Sequence, residues 1–156
     1  MPSKPGLVEV VGTEPAFHLR ADGVSYLFRV TRHGHLEHVH FGPALGHLEA
    51  AADYEPLVVK QASGHSGVTY TESDPGYCLD YVPQEVSGLG KGDYRLPSVE
   101  VRLPDGGTTT DLRYVGHTLH EGVVPCQDGL PTAIAEPGQA ATLEVRLADG
   151  DLELTL

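Results

Sequence analysis

The sequence contains no tryptophan and no asparagine, and only two cysteines, Cys78 and Cys126. Ten lysines and arginines stand against 22 aspartates and glutamates. Each shortage argues against something. A formal net charge of -12 repels a phosphate backbone, which argues against nucleic-acid binding. An anionic membrane surface is disfavoured for the same reason. No apolar run approaches the roughly 20 residues that a membrane helix needs. Without asparagine there is no N-glycosylation acceptor. Two thiols in 156 residues do not make a disulfide scaffold. Residues Met1 to Gly6 lack the apolar core and cleavage site of a signal peptide, so a reduced, cytoplasmic protein is expected.

What is present is enough for one domain. Forty per cent of the residues are hydrophobic, and a chain of this length buries roughly 70% of its unfolded surface. The dominant period is two. Val24, Tyr26, Phe28 and Val30 share one face of a predicted strand. Val99, Val101 and Leu103 alternate with Glu100 and Arg102. Leu143, Val145 and Leu147 alternate with Glu144 and Arg146, and Leu152, Leu154 and Leu156 continue the pattern. Each reads as a half-buried strand. Asp22-Gly23, Asp105-Gly106 and Asp149-Gly150 fall where tight turns are needed, and His33-Gly34 stands in the same position after Val30. Turns this short force antiparallel neighbours. The expectation is an all-β, antiparallel sandwich with at most one short helix, over Ala44 to Asp53 after Pro43. Tyr54 to Gly76 reads as a long loop with one strand at Val68 to Thr71.

Few residues are arranged for chemistry. On a regular strand His38 and His40 point the same way about 7 Å apart, which would let them share Zn or Cu, but no cysteine or suitably spaced glutamate joins them. No metal and no cofactor is therefore expected. Asp93 and Asp111 are candidates for an acid/base pair, although an aspartate two residues before an arginine, as in Asp93-Tyr94-Arg95, more often makes a local ion pair. Gly88-Leu89-Gly90-Lys91-Gly92 lacks the Ser or Thr and the helix of a phosphate-binding loop, so its glycines are read as flexibility. Tyr77 and Tyr81 are candidates for exposure near the irregular region, and the two cysteines for small packing residues.

Several segments in order nevertheless form a pattern. They are Phe17-His18-Leu19-Arg20, Ser25-Tyr26-Leu27-Phe28, Gly34-His35-Leu36-Glu37-His38-Val39-His40-Phe41-Gly42 and Pro83-Gln84-Glu85. Gly92-Asp93-Tyr94-Arg95-Leu96-Pro97, Thr110-Asp111-Leu112-Arg113-Tyr114, Gly129-Leu130-Pro131 and Thr142-Leu143-Glu144-Val145 follow. Together they resemble the N-terminal region of bacterial α-galactosidases of glycoside hydrolase family 36, over about residues 15 to 156.

That resemblance implies part of a β-supersandwich that precedes a TIM barrel. The catalytic aspartates of the family lie in the barrel, so no catalytic residue is expected here, and the chain alone should be inactive. The implied parent hydrolyses terminal α-galactosides with retention. The implied role of this domain is scaffolding, homo-oligomer contact and the shaping of a neighbour's substrate pocket. Residues 1–156 are then a single sandwich domain, cut from a longer multidomain glycosidase. Asp93, Tyr94 and Arg95 match the family's Gly-Asp-Phe-Arg run and are the candidates for substrate or interface contact. His38 matches a family histidine, while His40 stands where tyrosine is usual, which weakens the metal alternative. The alternative function is a free-standing β-sandwich module that binds a sugar or a protein.

Overall fold

The computed structural model describes residues 7–60, 68–125, 134–136 and 138–156. Two antiparallel meanders pack face to face. The first runs β1 (Val8–Val11), β2 (Ala16–Ala21), β3 (Val24–Val30) and β4 (Leu36–Pro43), each paired with the next. The second runs β5 (Arg113–Glu121), β6 (Ala141–Asp149) and β7 (Leu152–Thr155). The turns anticipated at Asp22-Gly23, His33-Gly34 and Asp149-Gly150 join β2 to β3, β3 to β4 and β6 to β7. Gly23 and Gly34 hold φ of 75° and 89°, a region that side-chain-bearing residues seldom enter.

The core between the sheets holds Phe17, Phe28, Val30 and Leu36 from the first, and Leu112, Val145 and Leu147 on or beside the second. Tyr26, Leu143, Leu152 and Leu154 pack against it partly buried, which matches the alternation in the sequence. The far face of the first sheet is covered as well. Val11, Ala16, Leu27 and Val39 pack there against Leu48 and Tyr54 of the segment after β4.

That segment is pinned by polar groups. His18 is fully buried; its Nδ1 donates to Glu9 (2.9 Å) and its Nε2 accepts from the Ser25 hydroxyl (2.8 Å). Ser25 Oγ in turn accepts the Leu45 amide (2.9 Å). Arg20 and His47 also donate to Glu9, each at 2.9 Å. Burial pushes the Glu9 carboxyl up, but hydrogen bonds from His47, His18 and Arg20 outweigh it and hold the group at about 2.

The structure departs from the sequence pattern in four places. The helix spans only α1 (Ala51–Tyr54), running into a 3-10 turn over Glu55–Leu57. Its start is set by Asp53 Oδ2, which accepts the Glu49 and Ala50 amides and so caps the helix later than Pro43 suggested. Val99 to Leu103 keeps alternating burial but joins no ladder; its turn closes locally through Leu103 N–H to Gly107 O (2.8 Å). Val68 to Thr71 is a bend followed by a single bridge from Thr71 to Asp74, where Thr71 O accepts the Asp74 amide. Tyr77 is buried rather than exposed, and forms a small cluster with Leu79 and Val82. Cys126 and Gly129-Leu130-Pro131 lie outside the described residues.

Candidate functional site

The candidate residues sit in the long connection between the sheets, where backbone ladders give way to side-chain clamps. Residues 83–85 run along the free edge of β4: the His38 amide donates to Pro83 O (2.7 Å) and the Glu85 amide to Leu36 O (3.0 Å). This short edge holds Gln84 and Glu85 in place. Glu85 receives the Tyr26 hydroxyl and His38 Nδ1 (2.8 Å). Gln84 Nε2 donates to Asp93 Oδ2 (2.7 Å).

Asp93 is the centre of a closed clamp. Its carboxylate side chain is 2% exposed. Oδ1 accepts the Arg95 amide (3.0 Å) and Nε (2.8 Å), and Oδ2 accepts Arg95 Nη2 (2.7 Å). Arg95 Nη2 also donates to Leu79 O (2.7 Å). Burial raises the Asp93 pKa, and the bonds from Arg95 and Gln84 more than reverse it, leaving the carboxyl below its ordinary range. The Asp-x-Arg spacing thus makes the local pair that the sequence suggested. Between and beyond its partners, Tyr94 and Leu96 are 75% and 89% exposed. Asp93 and Arg95 are bound to each other in the clamp, whereas Tyr94 is presented to solvent.

The glycines before Asp93 serve close packing rather than flexibility. A Cβ on Gly88 would overlap the Thr110 hydroxyl, and one on Gly90 would come within 2.6 Å of Thr109 Cγ2. Lys91, between Gly90 and Gly92, holds a φ of 57°, rare for a residue with a side chain.

Asp111 belongs to a second clamp. Buried His35 donates from Nε2 to Asp111 Oδ1 (3.0 Å) and accepts at Nδ1 from the Tyr77 hydroxyl (3.0 Å). Tyr77 Oη accepts from Thr31 Oγ1 (2.8 Å), and Tyr70 donates to Asp111 Oδ2 (2.9 Å). Burial and the Asp111 contact push the Tyr70 hydroxyl up to about 12. Asp111 itself is raised by burial but lowered further by His35 and Tyr70. A general acid must hold its proton near neutral pH, so one member of a working pair needs a raised pKa. Asp93 and Asp111 are both shifted down, and each is occupied in its own clamp.

His38 and His40 do not face each other. A bulge between Leu27 and Phe28 shifts the register, so that His38 opposes Phe28 and His40 opposes Leu27. Adjacent residues of β3 point to opposite faces, and the two imidazoles therefore do so too. His38 bonds Glu85, and His40 donates from Nε2 to Pro43 O (3.1 Å). Among the described residues no group of three or more His, Cys, Asp or Glu side chains is gathered as a metal would need. Sequence reasoning missed Gln84 and the His35 clamp. The only signal for either was their presence in the ordered segments Pro83-Gln84-Glu85 and Gly34-His35-Leu36.

The family model for the glycosyl hydrolase family 36 N-terminal domain matches residues 34–156. Alpha-galactosidase AgaA of Geobacillus stearothermophilus is 38% identical over 143 residues, covering 90% of this chain and 19% of AgaA. The crystal structure of AgaB from the same organism superposes with a TM-score of 0.78 at 34% identity, covering 95% of this chain and 20% of AgaB. An AgaA variant crystallised with stachyose gives a TM-score of 0.77 at 35% identity, covering 90% of this chain and 19% of that one. The chain spans about a fifth of the length of these relatives. Its fold and most of its length align with one part of those enzymes: the chain belongs to the family of glycosyl hydrolase family 36 N-terminal domains, as found in bacterial α-galactosidases.

Proposed function

We propose that this chain acts as the non-catalytic N-terminal β domain of an α-galactosidase. In this reading it scaffolds the enzyme, makes contacts between subunits and shapes a neighbouring subunit's substrate pocket. A barrel in the parent protein carries out the retaining hydrolysis of terminal α-galactosides, with substrates of the class of stachyose, the ligand crystallised with one relative. The parent is a cytoplasmic, oligomeric bacterial enzyme without a cofactor. The observation that carries the reading is the match of residues 34–156 to a domain defined as the N-terminal part of these glycosidases. The state of the carboxylates supports it: Asp93 and Asp111 are held ionised by structural partners, so neither is poised as the proton donor that a retaining mechanism requires.

Asp93 and Arg95 then set the position of an interface loop, and Tyr94 makes its contact. A rigid, exposed aromatic loses little side-chain entropy on docking. The test is a chimera in which this chain replaces the matching region of AgaA. The expected result is an enzyme that still hydrolyses raffinose-type substrates, with activity reduced by Tyr94→Ser. A chimera that folds and is inactive would refute the scaffolding role. The exposure of Tyr94 and Leu96 also favours a second reading, a free-standing sugar-binding or protein-binding module. Titration of the chain with α-galactosides separates the two, because only the second predicts saturable binding by the chain alone.

A further inference from the structure

A small cavity of about 10 Å³ lies where the two clamps meet. That is the room of about one water molecule. Every residue in its wall falls between His35 and Leu112 in the chain. The polar lining comes from both clamps: Gln84 and Asp93 from one, His35 and Asp111 from the other, together with Thr110. Thr110 is 4% exposed, and its hydroxyl has no hydrogen-bond partner among the described residues. Its backbone is accounted for, since the Thr110 amide donates to Leu89 O (3.0 Å). A hydroxyl taken out of water and left unbonded destabilises a fold. Gly88 also lines the cavity, and its missing Cβ leaves the space that this hydroxyl occupies.

The other lining groups differ in how much bonding capacity they have left. Asp93 accepts two bonds on each oxygen, from Arg95 N–H and Nε on Oδ1 and from Arg95 Nη2 and Gln84 Nε2 on Oδ2. That fills the roughly four acceptor sites of a carboxylate. His35 uses both ring nitrogens, on Asp111 and Tyr77. Asp111 is not filled. Its carboxylate accepts from His35 and Tyr70, while Arg113 Nε stands 3.7 Å away, beyond hydrogen-bond reach. About two of its acceptor sites remain. Gln84 Nε2 spends one N–H on Asp93 and carries a second.

We propose that this cavity is a binding site for one structural water, held by the Thr110 hydroxyl, the Asp111 carboxylate and the second N–H of Gln84. The water accepts from Gln84, donates to Asp111 and pairs with the hydroxyl in either sense. Three bonds are the usual number for a buried water. A metal ion fits less well, because Asp93 has no acceptor site to offer it. The water spans the two clamps, and neither carboxylate gives up a partner to bind it. One clamp holds the loop that carries Tyr94. The other joins the residue before β4 to the approach to β5. The site rests on the orphaned hydroxyl and the cavity, and not on the role proposed for the domain.

The test is a high-resolution crystal structure of the full chain, with the same chain unfolded in urea beside its variants. One water is expected within about 3.2 Å of both Thr110 Oγ1 and an Asp111 oxygen. Thr110→Val keeps the shape of the side chain and removes the hydroxyl. It is expected to lose the water and to raise the unfolding constant about fivefold. Thr110→Ser keeps the hydroxyl and is expected to keep the water. In a dry cavity Thr110→Val instead removes an unpaired polar atom, and the unfolding constant stays the same or falls. That result overturns the proposal. So does an unmodified chain with no water at this place, a Thr110 hydroxyl turned onto a backbone carbonyl, or a water that stays in Thr110→Val. Where Thr110→Val does not fold, the structure of the unmodified chain decides.

Discussion

Residues 8–43 and residues 68–112 are held together by different means. The first stretch is a four-stranded meander with a continuous backbone ladder and an apolar core on each face. The second contains a 3-10 turn over Leu79–Tyr81 and isolated bridges, such as Glu37–Gln84, Leu89–Thr109 and Gly90–Asp93. It is fixed by the Asp93–Arg95–Gln84 clamp, the His35–Asp111–Tyr70 clamp and glycines packed against Thr109 and Thr110. A ladder spreads its stability over many equivalent bonds and one broad apolar surface. A clamp concentrates it in a few buried polar atoms, each costly to leave unpaired. The meander should therefore fail as a whole, and the connection piece by piece.

The largest expected effect lies in the meander. Phe17→Ala removes a fully buried ring that touches both sheets and should cost about 3–5 kcal/mol, lowering stability throughout the domain in urea unfolding. Asp93→Ala should cost less, about 2–3 kcal/mol, since Arg95 keeps partial contact with water. Its signature is local: hydrogen exchange should speed up at residues 83–85 and 93–97 while β1 to β4 stay protected. A uniform loss of protection would mean that the two regions share one mode of support.

The next effect depends on pH. Glu9 has its pKa lowered from 4.5 to about 2 in the folded chain. A depressed carboxylate stabilises the fold above its unfolded value and loses that contribution as pH falls through the folded one. Stability should thus drop by about 2 kcal/mol between pH 4.5 and about 2. Glu9→Gln should flatten that acid limb, as measured by urea unfolding at a series of pH values. His47 is raised by its bond to Glu9, so its smaller contribution is present below 6.5 and fades as pH rises above it. Gly88→Ala, which drives a methyl into the Thr110 hydroxyl, should cost about 1–2 kcal/mol and slow the closing of the loop rather than the folding of the sheets. The smallest change is expected from Gly23→Ala. No described residue lies within 4 Å of a Cβ built there, and its φ of 75° is what opposes a side chain, at about 1 kcal/mol in thermal unfolding.

The same contrast explains what could be read from the sequence. β3 was legible because Tyr26, Phe28 and Val30 recur at every second position, and β6 and β7 because Leu143, Val145 and Leu147, or Leu152 and Leu154, alternate with polar residues. β2 was hidden from periodicity because both of its faces are covered, so that Ala16, Phe17 and His18 are buried in succession. β5 was hidden because Gly116, His117 and His120 are among its half-buried positions. Val99 to Leu103 misled in the opposite sense, since alternation reports a face and says nothing about a pairing partner. Of the candidate site, the Asp93–Arg95 pair followed from spacing alone. Its partner Gln84 and the His35–Asp111 contact join residues far apart in the chain, and no local pattern encodes them. The bulge that turns His38 away from His40 is equally silent in composition.

The central claim is that this domain supports glycosidase chemistry without performing any. It is tested most directly by incubating the purified chain with an aryl α-galactoside and following release of the aryl group. The account predicts no hydrolysis above the buffer rate, and no change on Asp93→Asn or Asp111→Asn. Saturable hydrolysis by the pure chain, abolished by either substitution, would contradict it.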